Sequence, residues 1–320
     1  MDDLDLYFVS GLMDKNALTT QNRDDMPESI QNVLSEIASL EGIASLSYLP
    51  NLLLILLILV LLWIGTKVFD LFSSYSLEHQ LVKEDNKAVT ITFVAYLAGL
   101  AIIMEGVLEG NFTVTWMEFF DVFIWSIIGN VLLLVAGKIN DKILLRKIDN
   151  KVELLENRNL AVGAVEVGSF IGSAVIIRSI ILGESLGWAL DIGLTVLYFI
   201  LAQVFFYIYT MLYQKMIKYD FQEEIKKGNV AAGISLGFNL IALGMLLAIP
   251  LRNTFSIVFF LAWFLVGSAT MAFFRFVMDR IIIPQEKLDE EIHKDENWGI
   301  AFLEGCFSVT AIVVLQSIFV

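Results

Sequence analysis

The sequence predicts an all-α polytopic membrane protein with about eight transmembrane helices, arranged as four parallel two-helix repeats with pseudo-twofold symmetry. Three observations lead there. Hydrophobic side chains make up 57% of the 320 residues and the mean hydropathy is +0.73, a composition that water-soluble domains do not carry. Apolar stretches of the length needed to cross a bilayer, about 20 residues, recur over more than half of the chain. An asparagine that follows an acidic stretch opens every second one, at Asn86, Asn159, Asn229 and Asn297, spaced 73, 70 and 68 residues apart.

Residues 1–47 come first and stand apart. They hold nine acids against Lys15 and Arg23, a net −7 out of a chain total of −14. Pro27 opens a helical pattern with Ile30, Val33, Leu34 and Ile37 on one face, suited to lying on the outer membrane surface or covering a pore mouth. The N-terminus has no basic n-region followed by an apolar run, so the first membrane helix is expected to target the chain.

The apolar stretches follow at roughly 49–72, 87–108, 117–137, 160–182, 187–213, 230–250, 254–278 and 298–319. Odd helices run into long charged segments (73–86, 138–159, 214–229 and 279–297), whereas the turns after even helices are short. Of the 21 Lys and Arg, 17 lie in the charged segments or the helix ends feeding them. The positive-inside rule therefore places those segments in the cytoplasm and both termini outside. Two segments, Lys142–Ile148 and Tyr213–Phe221, keep apolar residues at helical spacing and read as interfacial continuations of the odd helices. Asp289–Glu296 lacks the spaced oxygens and glycine of a calcium loop and reads as a solvated acidic stretch.

Because each repeat contains two crossings, every copy enters the bilayer in the same direction. The copies are thus parallel repeats about the membrane normal. Seven residues after the asparagine stand Glu166 in copy two and Glu304 in copy four, but Phe93 and Leu236 in copies one and three. That alternation describes a duplicated four-helix module, with boundaries at 48–183 and 184–320, and a weaker fourfold relation among the copies.

The module start, Gly228-Asn229-Val230-Ala231-Ala232-Gly233-Ile234, echoed from Asn159 to Gly163, resembles the YjfL family of small bacterial inner-membrane proteins. The chain resembles two such four-helix modules fused, over about residues 48–320; copy one, Asn86-Lys87-Ala88-Val89, departs by lacking the glycine. The resemblance implies a bacterial plasma membrane and a loose link to envelope-stress proteins or polyamine-related genes. It carries no established activity and no catalytic residues.

Charges inside the hydrocarbon cost on the order of 3 kcal/mol or more, so each is a functional candidate. Glu166 and Glu304, about 10 Å inside the cytoplasmic boundary at 1.5 Å per residue, are the expected proton- or cation-binding carboxylates. Nearer the outer leaflet lie Glu105, Asp121 and Asp191, expected either to form an electronegative vestibule or to pair with Arg178. Asn130, Gln203, Asn239 and Gln316 fit interhelical hydrogen bonds.

No Gly-x-Ser-x-Gly, Walker A or His-Glu-x-x-His motif is present, and a single cysteine with two histidines offers no metal site. An enzyme, a cofactor and a nucleic-acid partner are therefore not expected. The expected function is a small-cation channel or proton-linked transporter using the intramembrane carboxylates. The alternative is a membrane scaffold whose cytoplasmic linkers recruit a peripheral stress-response protein. The expected contacts are the lipid bilayer, a small cation, such a peripheral protein and further copies of the chain in a homo-oligomer.

Overall fold

The computed structural model describes residues 48–73, 75–109, 116–182, 185–252 and 254–319. The amphipathic pattern around Ile30 lies outside the described residues. One compact unit spans Leu56–Val320; of the unit before it, Met1–Ile55, only the first turns of α1 are described.

Eight helices are long and apolar enough to cross a membrane among the described residues. They are α1 (Tyr48–Phe72), α2 (Lys87–Leu108), α3 (Trp116–Ile143), α5 (Leu160–Ile181), α6 (Trp188–Met216), α8 (Val230–Leu251), α9 (Ile257–Val277) and α11 (Trp298–Phe319). Three short helices, α4 (Asn150–Leu155), α7 (Phe221–Lys227) and α10 (Leu288–His293), and a π-helical turn at His79–Lys83 fill the long linkers. The protein is an all-α multi-pass membrane protein.

The recurring asparagine explains where the even helices start. Asn86, Asn159 and Asn229 are N-caps whose Oδ1 accepts from backbone N–H groups of the first turn, and Asn297 does the same with Ile300. Such a cap contributes about 1 kcal/mol. The residue before each asparagine has positive φ: Asp85 (47°), Arg158 (49°), Gly228 (92°) and Glu296 (49°). This left-handed step reverses the chain, so that each asparagine N–H donates back to the carbonyl of Gln80, Glu153, Glu224 or Glu291. The side-chain Nδ2 repeats the link, donating to the side-chain oxygens of the same four residues.

A second bond from Nδ2 joins one repeat to the next. Asn86 donates to the carbonyl of Leu154, Asn159 to Ile225 and Asn229 to Ile292, each at 2.8 Å. These bonds hold the starts of α2, α5, α8 and α11 at one level, so the four run parallel, as the repeat predicts. They stand in a row in that order, with α3, α6 and α9 packed along it. Small residues let the central pair touch: a Cβ on Gly168 would lie 2.2 Å from the carbonyl oxygen of Gly237, and one on Gly233 2.3 Å from that of Ala161.

The row has two ends. α5 and α8 bury most of their length, α2 only half and α11 less, so the four copies do not close into a fourfold ring. The linkers also differ from expectation. α3 stops at Ile143 and α6 at Met216, and the apolar residues beyond, Leu144, Leu145, Ile148 and Ile217, are buried in the protein instead of meeting lipid headgroups. Asp149 and Asp220 then cap separate short helices.

Candidate functional site

The two carboxylates at equal register meet different surroundings. Glu166, on the first turns of α5, is buried and accepts a 2.8 Å hydrogen bond from Asn150 Nδ2; the same Nδ2 donates to Asp141 Oδ1 at 3.0 Å. One amide thus bridges two acids. Among the described residues, no base lies within ion-pair distance of either, although Lys138 and Lys151 line the same pocket. That pocket, about 100 Å³, is walled by Phe69, Phe72, Tyr75 and Phe170. Thr92 Oγ1 and Asn150 Oδ1, on two further lining residues, are buried without a hydrogen-bond partner. Burial and then the nearby Glu166 hold the Tyr75 phenol above its ordinary range, so it stays neutral.

Glu304 is equally buried but paired. Arg275 of α9 forms an ion pair with Glu304 and a second with Asp289 at 2.6 Å. Ser235 donates to the same carboxylate, and Tyr213 shares a 2.6 Å hydrogen bond with Ser235. The two expected proton- or cation-binding carboxylates thus differ in partner: Glu304 is held by a guanidinium, and Glu166 is not.

At the other membrane face Arg178 pairs with Glu105 and also with Glu109, a residue outside the predicted set. That pair takes Glu105 out of the expected vestibule. Asp191 accepts from Ser185 Oγ (2.7 Å) and from the Leu186 N–H (2.8 Å), tying the turn before α6. Asp121 and Asp191 still share one cleft of about 190 Å³ with Trp125, Trp188 and Thr195. Asn130 and Asn239 do serve interhelical hydrogen bonds, accepting from Tyr96 (2.7 Å) and Tyr209 (2.8 Å).

A family model described as "Domain of Unknown Function (DUF350)" matches the chain twice, at residues 41–181 and 187–319. The chain belongs to the DUF350 family. A similar protein is the UPF0719 transmembrane protein of Aquifex aeolicus (strain VF5), 25% identical over 268 residues, which cover 81% of this chain and 97% of that one. No solved structure matches.

Each DUF350 segment contains four of the eight spanning helices and one of the pair Glu166 and Glu304. The DUF350 match comes without a catalytic or binding residue, so the site rests on geometry alone. No group of three or more His, Cys, Asp or Glu is arranged to hold a metal ion among the described residues.

Sequence reasoning missed Asp141, Asn150 and Arg275, because all three sit at helix ends or in linkers, where Arg275 entered only the positive-inside count and the other two carried no signal of their own. One signal could have found Asp141. Asp70, Asp141 and Asp279 recur 16 to 18 residues before their asparagines. Asp70 and Asp279 accept the N–H groups of Leu77 and Leu288, at the start of their linkers' helical segments. In copy two Asp149 caps the short helix instead, and Asp141 is turned to Asn150 and the site.

Proposed function

We propose that the protein is a proton-linked small-cation transporter or channel whose binding site is the Glu166–Asn150–Asp141 cluster, in a bacterial plasma membrane with the linker face in the cytoplasm. The single observation that carries the reading is the sharing of one Asn150 amide by two carboxylates at a buried pocket wall. Two such carboxylates repel unless a proton or a cation sits between them. With Asn150 Oδ1 and Thr92 Oγ1 unpartnered beside them, the donor set is all oxygen, which suits a hard cation. The Asp121 and Asp191 cleft supplies an electronegative mouth on the opposite face. From Glu166 to Ile180, which lines that cleft, α5 rises about 21 Å at 1.5 Å per residue.

The two family matches and the alternation of Glu166 and Glu304 support a further part of the reading, a fusion of two four-helix modules of the YjfL type. In such a fusion the first half keeps the binding carboxylate, while Arg275 makes the second a structural support. A scaffold with free cytoplasmic linkers is put second, since α4, α7 and α10 and the asparagine bonds take up much of the linker length.

Purified protein in liposomes tests the proposal through proton and monovalent-cation flux. Glu166→Gln should abolish flux, whereas Glu304→Gln should lower the folded yield and leave flux per folded molecule. Unchanged flux in Glu166→Gln, or no flux above empty liposomes from the wild type, overturns it.

A further inference from the structure

Every interface in the row uses the same two faces. Counting from the capping asparagine, positions 2, 5, 9 and 13 of one even helix meet positions 4, 8, 11 and 15 of the next. In α5 and α8 these are Ala161, Ala164, Gly168 and Gly172 against Gly233, Gly237, Leu240 and Gly244. The register is explicit in the closest approaches: Gly233 meets Ala161, Gly168 meets Gly237 and Gly172 meets Leu240. From α2 to α5 the pattern recurs, with Gly163 on Ala88 and Ile91, and Gly99 on Ala174.

The ends of the row carry the two unmated halves. On α11 the forward face, Gly299, Phe302, Cys306 and Thr310, is exposed at all four positions, whereas its backward face, Ala301, Gly305, Ser308 and Ile312, is buried. On α2 the reverse holds: Val94 and Ala101 of the backward face are exposed, with Thr90 and Leu97 partly so, while the forward face packs on α5. The hydrogen bonds are unmated in the same sense. Asn86, Asn159 and Asn229 each reach a carbonyl of the following repeat, but among the described residues Asn297 Nδ2 reaches only Glu291 in its own. Leu81, five residues before Asn86, stands where Leu154 and Ile292 accept in their repeats.

We infer that the forward face of α11 docks on the backward face of α2 of a second copy of this chain, continuing the row from molecule to molecule. The occupant is a second copy because three interfaces inside the chain already join these faces. Glycine, cysteine and threonine facing lipid on α11 fit helix packing better than a lipid contact. The contact is head-to-tail, so it closes into a ring if the rotation per molecule divides a full turn and otherwise extends as a row. This inference is independent of the transport reading.

The register supplies the test. Position 9 meets position 8, so Cys306, the one cysteine in the chain, should face Val94 of the next copy. In liposomes, Val94→Cys treated with copper phenanthroline should give products at two and more times the 35.9 kDa of the chain, lost when Cys306→Ser is added. Val131→Cys on α3 is the control, since Val131 (50% exposed) and Val94 (57%) are similarly open; it should cross-link several-fold less. Equal cross-linking of the two variants overturns the inference, as does a product that survives Cys306→Ser or one that forms within a single chain. Lipid or residues 1–47 covering α2 would give the first of these results.

Discussion

Replacing Gly168 by alanine tests the row at its tightest seam. A Cβ there would lie 2.2 Å from the Gly237 carbonyl oxygen and 2.5 Å from its Cα, where ordinary contact begins at 3.4 Å. Both atoms are backbone, so no side chain can swing away and α5 must move from α8 by about 1 Å. A gap of that size forfeits a quarter to a half of each dispersion contact beside it, and overpacking costs about 1–3 kcal/mol. Against this, alanine gains up to about 1 kcal/mol over glycine in a helix. The net expectation is a loss of about 1–2 kcal/mol. Gly193→Ala on α6 is the control, because nothing lies within 4 Å of its Cβ; there the helix term acts alone and stability should rise slightly. Unfolding in mixed detergent micelles, followed by tryptophan fluorescence, measures both. If Gly168→Ala is as stable as Gly193→Ala, the backbone contact between α5 and α8 does not form as described.

Arg275→Met should destabilise by about 3–5 kcal/mol, because it leaves Glu304 charged, buried and unpaired; adding Glu304→Met should restore most of the loss in the same unfolding assay. Asn159→Ala removes a cap, an inter-repeat bond and the donor to Glu153, for a cost of about 2–4 kcal/mol. Asn297→Ala, lacking the inter-repeat bond, should cost less in monomeric detergent micelles; equal costs would refute the linking role of the asparagines. Glu224 supplies a pH test. Burial acts to raise its pKa, but hydrogen bonds from Lys227, Asn229 and His293 outweigh it and hold the carboxyl below its ordinary 4.5. A depressed carboxylate contributes stability above its unfolded pKa, and that stability is lost as pH falls below about 4.5. Glu224→Gln should therefore be less stable near neutrality and lose less on acidification, measured as thermal midpoints across pH 3–7.

The membrane helices were readable from the sequence because length and apolarity suffice to define them, and α2 and α11 match the expected ranges to the residue. The repeat was readable for a different reason: an N-cap needs a short polar side chain at one fixed place, so Asn86, Asn159, Asn229 and Asn297 mark equivalent geometry. What could not be read was partnership across the row. Glu166 and Glu304 share a register and a buried setting, and only three-dimensional placement of linker and helix-end residues distinguishes them. Leu144 and Leu145 failed for a related reason. Apolar spacing next to lysines fits a headgroup-facing helix equally well as a packed turn, and the choice depends on what lies beneath.

The difference between the two glutamates traces to one position. Arg275 lies 22 residues before Asn297, and the same count back from Asn159 arrives at Gly137. Asp279 and Asp141 confirm the alignment, each standing 18 residues before its asparagine. In the second half the arginine spans the gap to Glu304 and Asp289 and neutralises the carboxylate in place. In the first half the glycine leaves room that the Phe170 ring fills, 2.9 Å from where a Gly137 Cβ would be. With glycine at that position, Glu166 has no cation in ion-pair contact among the described residues and turns to Asn150 and Asp141 at the pocket. Under the proposed function the two carboxylates hold different roles on one scaffold, and the residue that separates them is four positions before an aspartate common to both halves. The α5 and α8 seam joins the Glu166 half to the Glu304 half through close backbone contacts, Gly168 on Gly237 and Gly233 on Ala161.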